Sequence, residues 1–223
     1  MESIIEIYSP EWWHERWGTF TGSEIWKLLT EPRTKKAQEA GELSETAQTY
    51  IIEKVWEALA GQAKQGFDSW ATEYGNENEP IAKANYTRRT GNIVTESRLV
   101  YNPGLLGFTG SPDGLVGEDG LIEIKCPANG GNHLKNCFIT SDEVLKSEHK
   151  EYYWQMMAYM YLTGRKWCDF VSFDGRIDSD LGLFIYRLNR NEEDIELMVE
   201  RVKQARVLFN QFYKTFKGEA KEV

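Results

Sequence analysis

The segment Gly110-Ser111-Pro112-Asp113-Gly114-Leu115-Val116 runs through Gly117-Glu118-Asp119-Gly120 into Leu121-Ile122-Glu123-Ile124-Lys125-Cys126-Pro127, and its reading decides the fold. Gly117 to Gly120 is a turn signal between two extended runs, so the segment predicts a hairpin. Side chains two apart on a strand share a face. Glu123 and Lys125 therefore point one way, while Ile122 and Ile124 point the other way, toward a core. A charged Glu and Lys between isoleucines are costly to bury unless they are paired or bound to something. Asp113 lies just before the strand that folds back beside residues 121–125, so the turn brings it toward Glu123. Two carboxylates facing one point repel unless a cation sits between them. Hard oxygen ligands suit Mg²⁺ or Mn²⁺ and leave positions for water and a phosphate oxygen. The lysine adds a charge that can hold or help deprotonate an attacking water, or equally steady charge developing at phosphorus. A surface hairpin carrying an ordinary Glu–Lys pair fits the same residues.

Outward from this hairpin, the chain reads as helices first, then strands, then helices again. Ser9-Pro10 opens a short helix over 11–17. Thr21-Gly22-Ser23-Glu24 has the form of a capping box and predicts a helix to residue 29, followed by an exposed loop over 30–43. Ser44 caps a helix to residue 60 that Gly61 ends, and a further helix over 69–89 stops at Gly91. Residues 93–101 and 107–109 read as extended, 148–162 as a helix stopped by Gly164, and 167–173 and 182–188 as strands. Asn191, with Glu192, Glu193 and Asp194 behind it, opens a final helix. Its Ile195, Met198, Val199, Val202, Phe209, Phe212 and Phe216 keep helical spacing. With no repeat or linker in sight, the expectation is one α/β domain over 1–223, a central mixed β-sheet flanked by helices.

Composition narrows the class. Of 223 residues, 41% are hydrophobic and 13% aromatic, which excludes a disordered chain. No apolar run approaches the roughly 18 residues of a membrane helix, and the first residues lack a signal-peptide pattern. Three cysteines without metal-type spacing fit a reducing cytosol. The net charge of −9 counts against nucleic acid on average, although a local basic cleft can sit in an acidic surface.

Further blocks accompany the hairpin: Trp12-x-x-x-Arg16-Trp17-Gly18-x-x-Thr21-Gly22-Ser23, Trp70-x-x-x-x-Gly75-x-x-x-Glu79-Pro80, and Tyr153-Trp154-Gln155-Met156-Met157. In this order and spacing, with Ser111-Pro112-Asp113-Gly114 and Glu123-Ile124-Lys125-Cys126-Pro127, the chain resembles the lambda exonuclease family. These are the viral recombination exonucleases of the YqaJ type, within the PD-(D/E)XK superfamily. The resemblance covers about residues 12–188 and implies a restriction-endonuclease-like fold. It implies that Asp113 and Glu123 bind metal with the Ile124 carbonyl, that Lys125 stands beside the attacking water, and that Glu79 serves a second ion. Two Mg²⁺ ions per site, with Mn²⁺ as a substitute, would then support in-line hydrolysis. Gln155 matches a glutamine that positions the water or the scissile strand. Arg16, Thr21, Ser23 and Ser111 match a pocket for a 5′-terminal phosphate, where a guanidinium and hydroxyls are suitable donors.

The same resemblance implies a 5′→3′ exonuclease acting on linear double-stranded DNA and leaving 3′ single-stranded tails. It implies a homotrimeric ring, a single-strand annealing protein as partner, and the cytoplasm of a bacterial or phage-infected cell, with no membrane association. The rival readings are an endonuclease or single-strand nuclease of the same superfamily and a non-catalytic module that binds DNA ends. Taken alone, Arg16 fits a pairing with Glu11 or Glu15, and Glu79 fits a solvated acidic helix face. Trp26, Trp56 and most tyrosines over 152–161 read as core, whereas Trp12 and Trp13 suit base stacking at a DNA entry. His14, His133 and His149 lack ligand spacing, and Cys126 lacks a catalytic histidine. Residues 128–147 match the family poorly and read as a DNA-contacting loop, through Lys135 or Lys146, or a variable surface.

Overall fold

The computed structural model describes residues 17–62, 70–102, 104–178 and 180–218. In chain order they form β1 (Phe20–Thr21), a 3-10 helix (Gly22–Leu29), α1 (Lys35–Glu39), α2 (Glu45–Ala60) and α3 (Trp70–Thr90). Strands β2 (Val94–Thr95), β3 (Val100–Tyr101), β4 (Phe108–Gly110), β5 (Gly114–Val116) and β6 (Gly120–Lys125) follow. Helices α4 (Gly130–Asn136), α5 (Asp142–Glu148) and α6 (Lys150–Thr163), strand β7 (Trp167–Phe173), a short 3-10 helix (Asp180–Gly182), strand β8 (Leu183–Asn189) and helix α7 (Glu192–Lys217) complete the order. Two compact units result. One holds the described residues within Met1–Gln65, Arg98–Gly110 and Asn191–Val223, the other those within Gly66–Ser97 and Ser111–Arg190.

The second unit carries the hairpin. Its sheet runs β2-β5-β6-β7-β8, with β6 and β7 parallel and the other neighbours antiparallel, so the mixed sheet is present as expected. Val116 pairs with Gly120 across a turn whose Gly117 has φ 54°, a left-handed conformation that glycine adopts without strain. Gly120 is fixed by a close approach: a Cβ there would stand 2.1 Å from the Trp167 indole. On one face of the sheet, Ile122, Ile124, Val171 and Phe173 pack with Ala82 and Tyr86 of α3. Helix α6 covers the other face, which explains why so many of its side chains, from Tyr153 to Met160, are buried. With helices on both faces, β6 is buried along its length, as a central strand must be. Glu123 is only 1% exposed, which overturns the surface-hairpin reading.

The first unit joins a small sheet, ordered β1-β4-β3, to the first 3-10 helix, α2 and α7. Ser44 accepts from the Ala47 amide to start α2, and Gly61 ends it in the left-handed region. Asn191 accepts from the Asp194 amide to start α7, whose Ile195, Met198, Val202, Ala205 and Phe209 are buried. Phe20 lies edge-on to Phe209 and tilted against Tyr50. Inside this unit Lys54 is buried, donating to both Glu57 carboxylate oxygens at 3.0 and 3.1 Å.

Several expectations change. The capping box does not form: the Thr21 side chain caps nothing, and its amide donates to the Tyr50 hydroxyl at 3.0 Å. Glu24 is drawn away to Lys27 and Lys54, and the segment winds as a 3-10 helix. The loop over 30–43 contains α1, capped by Thr34. Residues 93–101 split into β2 and β3, which join different sheets. The helix expected over 148–162 forms as α6 but starts at Lys150: Glu148 ends α5, and His149, whose ψ of 46° leaves the helical region, separates the two. Residues 128–147 hold α4 and α5, capped by Asn129 and Ser141. Trp56 is not core but 46% exposed, and Phe216 is exposed near the end of α7. The helix expected over 11–17, apart from Trp17, lies outside the described residues. Among those described, no helix is long and apolar enough to cross a membrane.

Candidate active site

Strand β6 and the turn before β5 bring Asp113, Glu123 and Lys125 together. The Ile124 amide donates to Asp113 Oδ2 at 2.6 Å, which holds that carboxylate beside β6. Lys125 Nζ donates to Glu123 Oε1 at 2.6 Å. The other oxygen, Glu123 Oε2, is buried with no hydrogen-bond partner. An orphaned carboxylate oxygen in a buried place is expensive, and a cation is the partner that would satisfy it.

The electrostatics agree. Burial, and then the charge of Glu123, raises Asp113 well above the usual carboxylate range, with Glu79 adding to the effect. Burial raises Glu123 as well, against the pull of Lys125. Burial works to lower the Lys125 ammonium, but Glu123 and Asp113 outweigh it and hold it above its ordinary value. A divalent ion would relieve both carboxylates at once, so the donor set fits a hard cation.

Helix α6 supplies the opposite wall. Lys125 Nζ donates to Gln155 Oε1 at 3.2 Å, and Gln155 Nε2 donates to the Tyr159 hydroxyl at 3.0 Å. The Tyr152 ring lies 5.2 Å from Lys125 Nζ and stacks on Phe170. Gln155 thus lies beside Lys125. Tyr152 and Tyr159 accompany it, although their sequence reading was core. The one available signal was spacing: residues four apart on a helix meet, and Gln155 and Tyr159 are such a pair.

Other assignments fare differently. Glu79, on α3, is half-buried and paired with Lys83 at 2.6 Å, while its charge acts on Asp113, Glu123 and Cys126. Among the described residues, no three carboxylate, histidine or cysteine side chains gather closely enough to hold one ion. The site therefore offers a carboxylate pair, with Glu79 near in charge rather than in a shared cluster. Cys126 is pushed up to about 12, first by burial and then by Glu79 and Asp113, which keeps the thiol protonated and unsuited to attack. His133 is buried between Ser172 Oγ at 2.9 Å and the Leu181 carbonyl at 2.7 Å, and His149 stacks on Tyr152. Thr21 Oγ1 and Ser23 Oγ lie 3.5 Å apart in the first unit, and Ser111 is half-buried in the second. Arg16, Trp12, Trp13 and His14 lie outside the described residues. Arg176 was not anticipated: it donates to the carbonyls of Ala128 and Pro127 and to Asp174, tying down the chain that follows β6.

Comparison with known proteins adds a family. Residues 11–166 match the model of the YqaJ-like viral recombinase domain. An alkaline exonuclease, LHK-Exo, from Laribacter hongkongensis has a similar structure, with 34% identity and a TM-score of 0.79 over 95% of this chain and 98% of that one. The same figures hold for LHK-Exo in complex with dAMP. A phage related exonuclease from Haemophilus somnus 129PT matches at 25% identity and a TM-score of 0.73, over 89% and 96% of the two chains. Among curated proteins, none matches.

Proposed function

Since the chain belongs to the YqaJ-like viral recombinase domain family, we propose that it is a metal-dependent 5′→3′ exonuclease that degrades one strand of linear double-stranded DNA. The observation that carries this reading is the buried Glu123, with one oxygen on Lys125 and the other unpartnered, beside Asp113. Asp113, Glu123 and the Ile124 carbonyl would hold Mg²⁺, or Mn²⁺ in its place, with Glu79 serving a second ion. Such ions, when bound, polarise a phosphate oxygen and make water a stronger nucleophile at neutral pH.

The chain's own groups do the rest. Glu123 and Asp113 hold the Lys125 ammonium up in the ion-free site, and in this reading Lys125 acts as a cation and hydrogen-bond donor. Its place is beside the phosphate, where negative charge grows as the attacking oxygen adds. Gln155 holds Lys125 in that direction, and Tyr159 anchors the nitrogen end of the Gln155 amide. Arg16, Thr21 and Ser23, and separately Ser111, are in this reading the donors to a 5′-terminal phosphate that selects the strand end. The dAMP bound by LHK-Exo suits release of mononucleotides. A ring-shaped homotrimer around DNA, and a single-strand annealing protein that takes the 3′ tail, complete the proposal.

The test offers the purified protein, with Mg²⁺, three DNAs: linear duplex with a 5′-phosphate, linear duplex with a 5′-hydroxyl, and a covalently closed circle. Asp113→Asn runs beside it. Loss of the phosphorylated linear DNA alone, absent in the variant, is the expected result. Cutting of the circle would move the assignment to an endonuclease. Inertness with Mg²⁺ and Mn²⁺ alike would leave a DNA-binding module.

A further inference from the structure

Helix α3 has a second working face. Tyr74, Asn78, Ile81, Asn85, Arg88 and Arg89 recur at helical spacing and form one wall of a cleft of about 670 Å³. Phe173, residues 175–178, Asp180, Gly182 and Leu183, at the ends of β7 and β8 and between them, make the other wall. The α3 wall carries two guanidiniums, two amides and an aromatic ring, whereas Glu73, Glu77 and Glu79 of the same helix lie outside the lining. In a chain of net charge −9 this is a local concentration of cation and amide.

The binding groups are partly held in place. Arg88 donates to Asn85 Oδ1 at 2.6 Å, and Arg89 donates to the exposed Asp180 at 2.7 Å. Each bond engages one nitrogen of a planar group with five donors. Asp178 and Asp180 on the loop wall keep the cleft from being uniformly basic. Guanidiniums suit phosphates, and an aromatic ring suits an unstacked base whatever its sequence.

The cleft begins where the catalytic strand ends. Arg176 lines it, sits 4.9 Å over the Tyr74 ring, and donates to the carbonyls of Pro127 and Ala128, just past Lys125 and Cys126. Asn78 precedes Glu79 on the helix. From Tyr74 to Arg89 the wall rises about 22 Å, the length of a few nucleotides of extended strand. We propose that this cleft binds single-stranded DNA and guides a strand along α3 away from the Asp113–Glu123 centre. Only the origin of the strand rests on the nuclease reading; the binding itself does not.

The test uses the full chain carrying Asp113→Asn, in EDTA, so that nothing is cut. Anisotropy of a fluorescein-labelled oligo(dT) is titrated over a range of KCl concentrations. Tyr74→Ala should weaken binding roughly tenfold, the loss of one stacked base. Arg88→Ala with Arg89→Ala should flatten the slope of log K against log salt by about 1.4, two single-strand phosphates. A bromodeoxyuridine-substituted oligonucleotide should photocrosslink to the peptide containing Tyr74. Unchanged affinity and slope in variants that melt like the parent would overturn the proposal, as would a crosslink elsewhere. A change in sedimentation instead of DNA affinity would also overturn it, assigning the face to a second copy of the chain. A protein that binds oligo(dT) here but cuts no DNA defeats the nuclease reading alone; one that cuts but does not bind here defeats only the cleft.

Discussion

Gln155 accepts a hydrogen bond from the Lys125 ammonium at 3.2 Å, and gives one to the Tyr159 hydroxyl at 3.0 Å. The lysine ammonium can only donate, so the amide oxygen must face it, and the tyrosine hydroxyl anchors the nitrogen end that is left. Tyr159→Phe should lower kcat about five- to tenfold, the worth of one hydrogen bond, with KM and melting temperature little changed. Gln155→Ala should cost at least as much. Adding Tyr159→Phe to Gln155→Ala should cost nothing further, because the tyrosine acts only through the amide. Additive losses in this cycle would show that Tyr159 works by another route.

Lys125 presents a different question, since its amine and its charge are separable. Glu123 and Asp113 hold the ammonium up in the metal-free site, and the proposed role is that of a cation. Lys125→Ala should reduce cleavage by about a hundredfold or more while leaving duplex binding within a fewfold of the parent. Lys125→Arg should restore part of the rate, because it keeps the charge. Wild-type turnover in Lys125→Ala would remove the residue from the mechanism. Arginine no better than alanine would mean that compact lysine geometry, not charge, is what matters.

The parts legible in the sequence are those fixed by local chemistry. Ser44 and Asn191 cap their helices as read, because each cap needs only an amide three residues on. The pairing of Asp113 with Glu123 was readable because a short hairpin brings neighbours in sequence together. The failed capping box at Thr21 was not readable: the competitor for its amide, Tyr50, is 29 residues away. Asn129 and Ser141 carry local capping signals, but the stretch over 128–147 has no apolar periodicity to mark the helices they start. Arg176 and its two carbonyl partners join residues 48 and 49 apart, a relationship no local pattern encodes.

Gly120 offers a test of the fold that is independent of chemistry. The Trp167 indole lies where a side chain at 120 would go, and it is backbone-paired opposite Gly120 across β6 and β7. Gly120→Val forces that ring out of its place in the core cluster. The expected cost is about 1–3 kcal/mol, read as a lower denaturation midpoint at constant m-value. Trp167→Ala with Gly120→Val should recover part of the loss. No destabilisation by the single change would mean that the end of the sheet near Trp167 can yield.

The carboxylate pair should make the metal-free protein less stable as the pH rises. Burial raises both Asp113 and Glu123 in the folded chain, with the charge of Glu123 adding at Asp113 and that of Glu79 at both, whereas unfolded carboxylates ionise near pH 4. Between those limits the unfolded chain gives up protons that the folded chain retains. The contribution to stability is therefore full below the ordinary range and is lost as the pH climbs through the raised folded values. Asp113→Asn removes the repulsion yet can still accept from the Ile124 amide. In EDTA it should melt roughly 2–4 °C above the parent at pH 8, with the difference shrinking toward pH 4. Mg²⁺ should reverse the order: it binds ionised carboxylates, so it should stabilise the parent more at pH 8 than at pH 5.5 and leave Asp113→Asn nearly unmoved. An equal Mg²⁺ shift in the variant would take Asp113 out of the ion site. A variant less stable than the parent at pH 8 in EDTA would show that the Ile124 bond outweighs the repulsion between the two carboxylates.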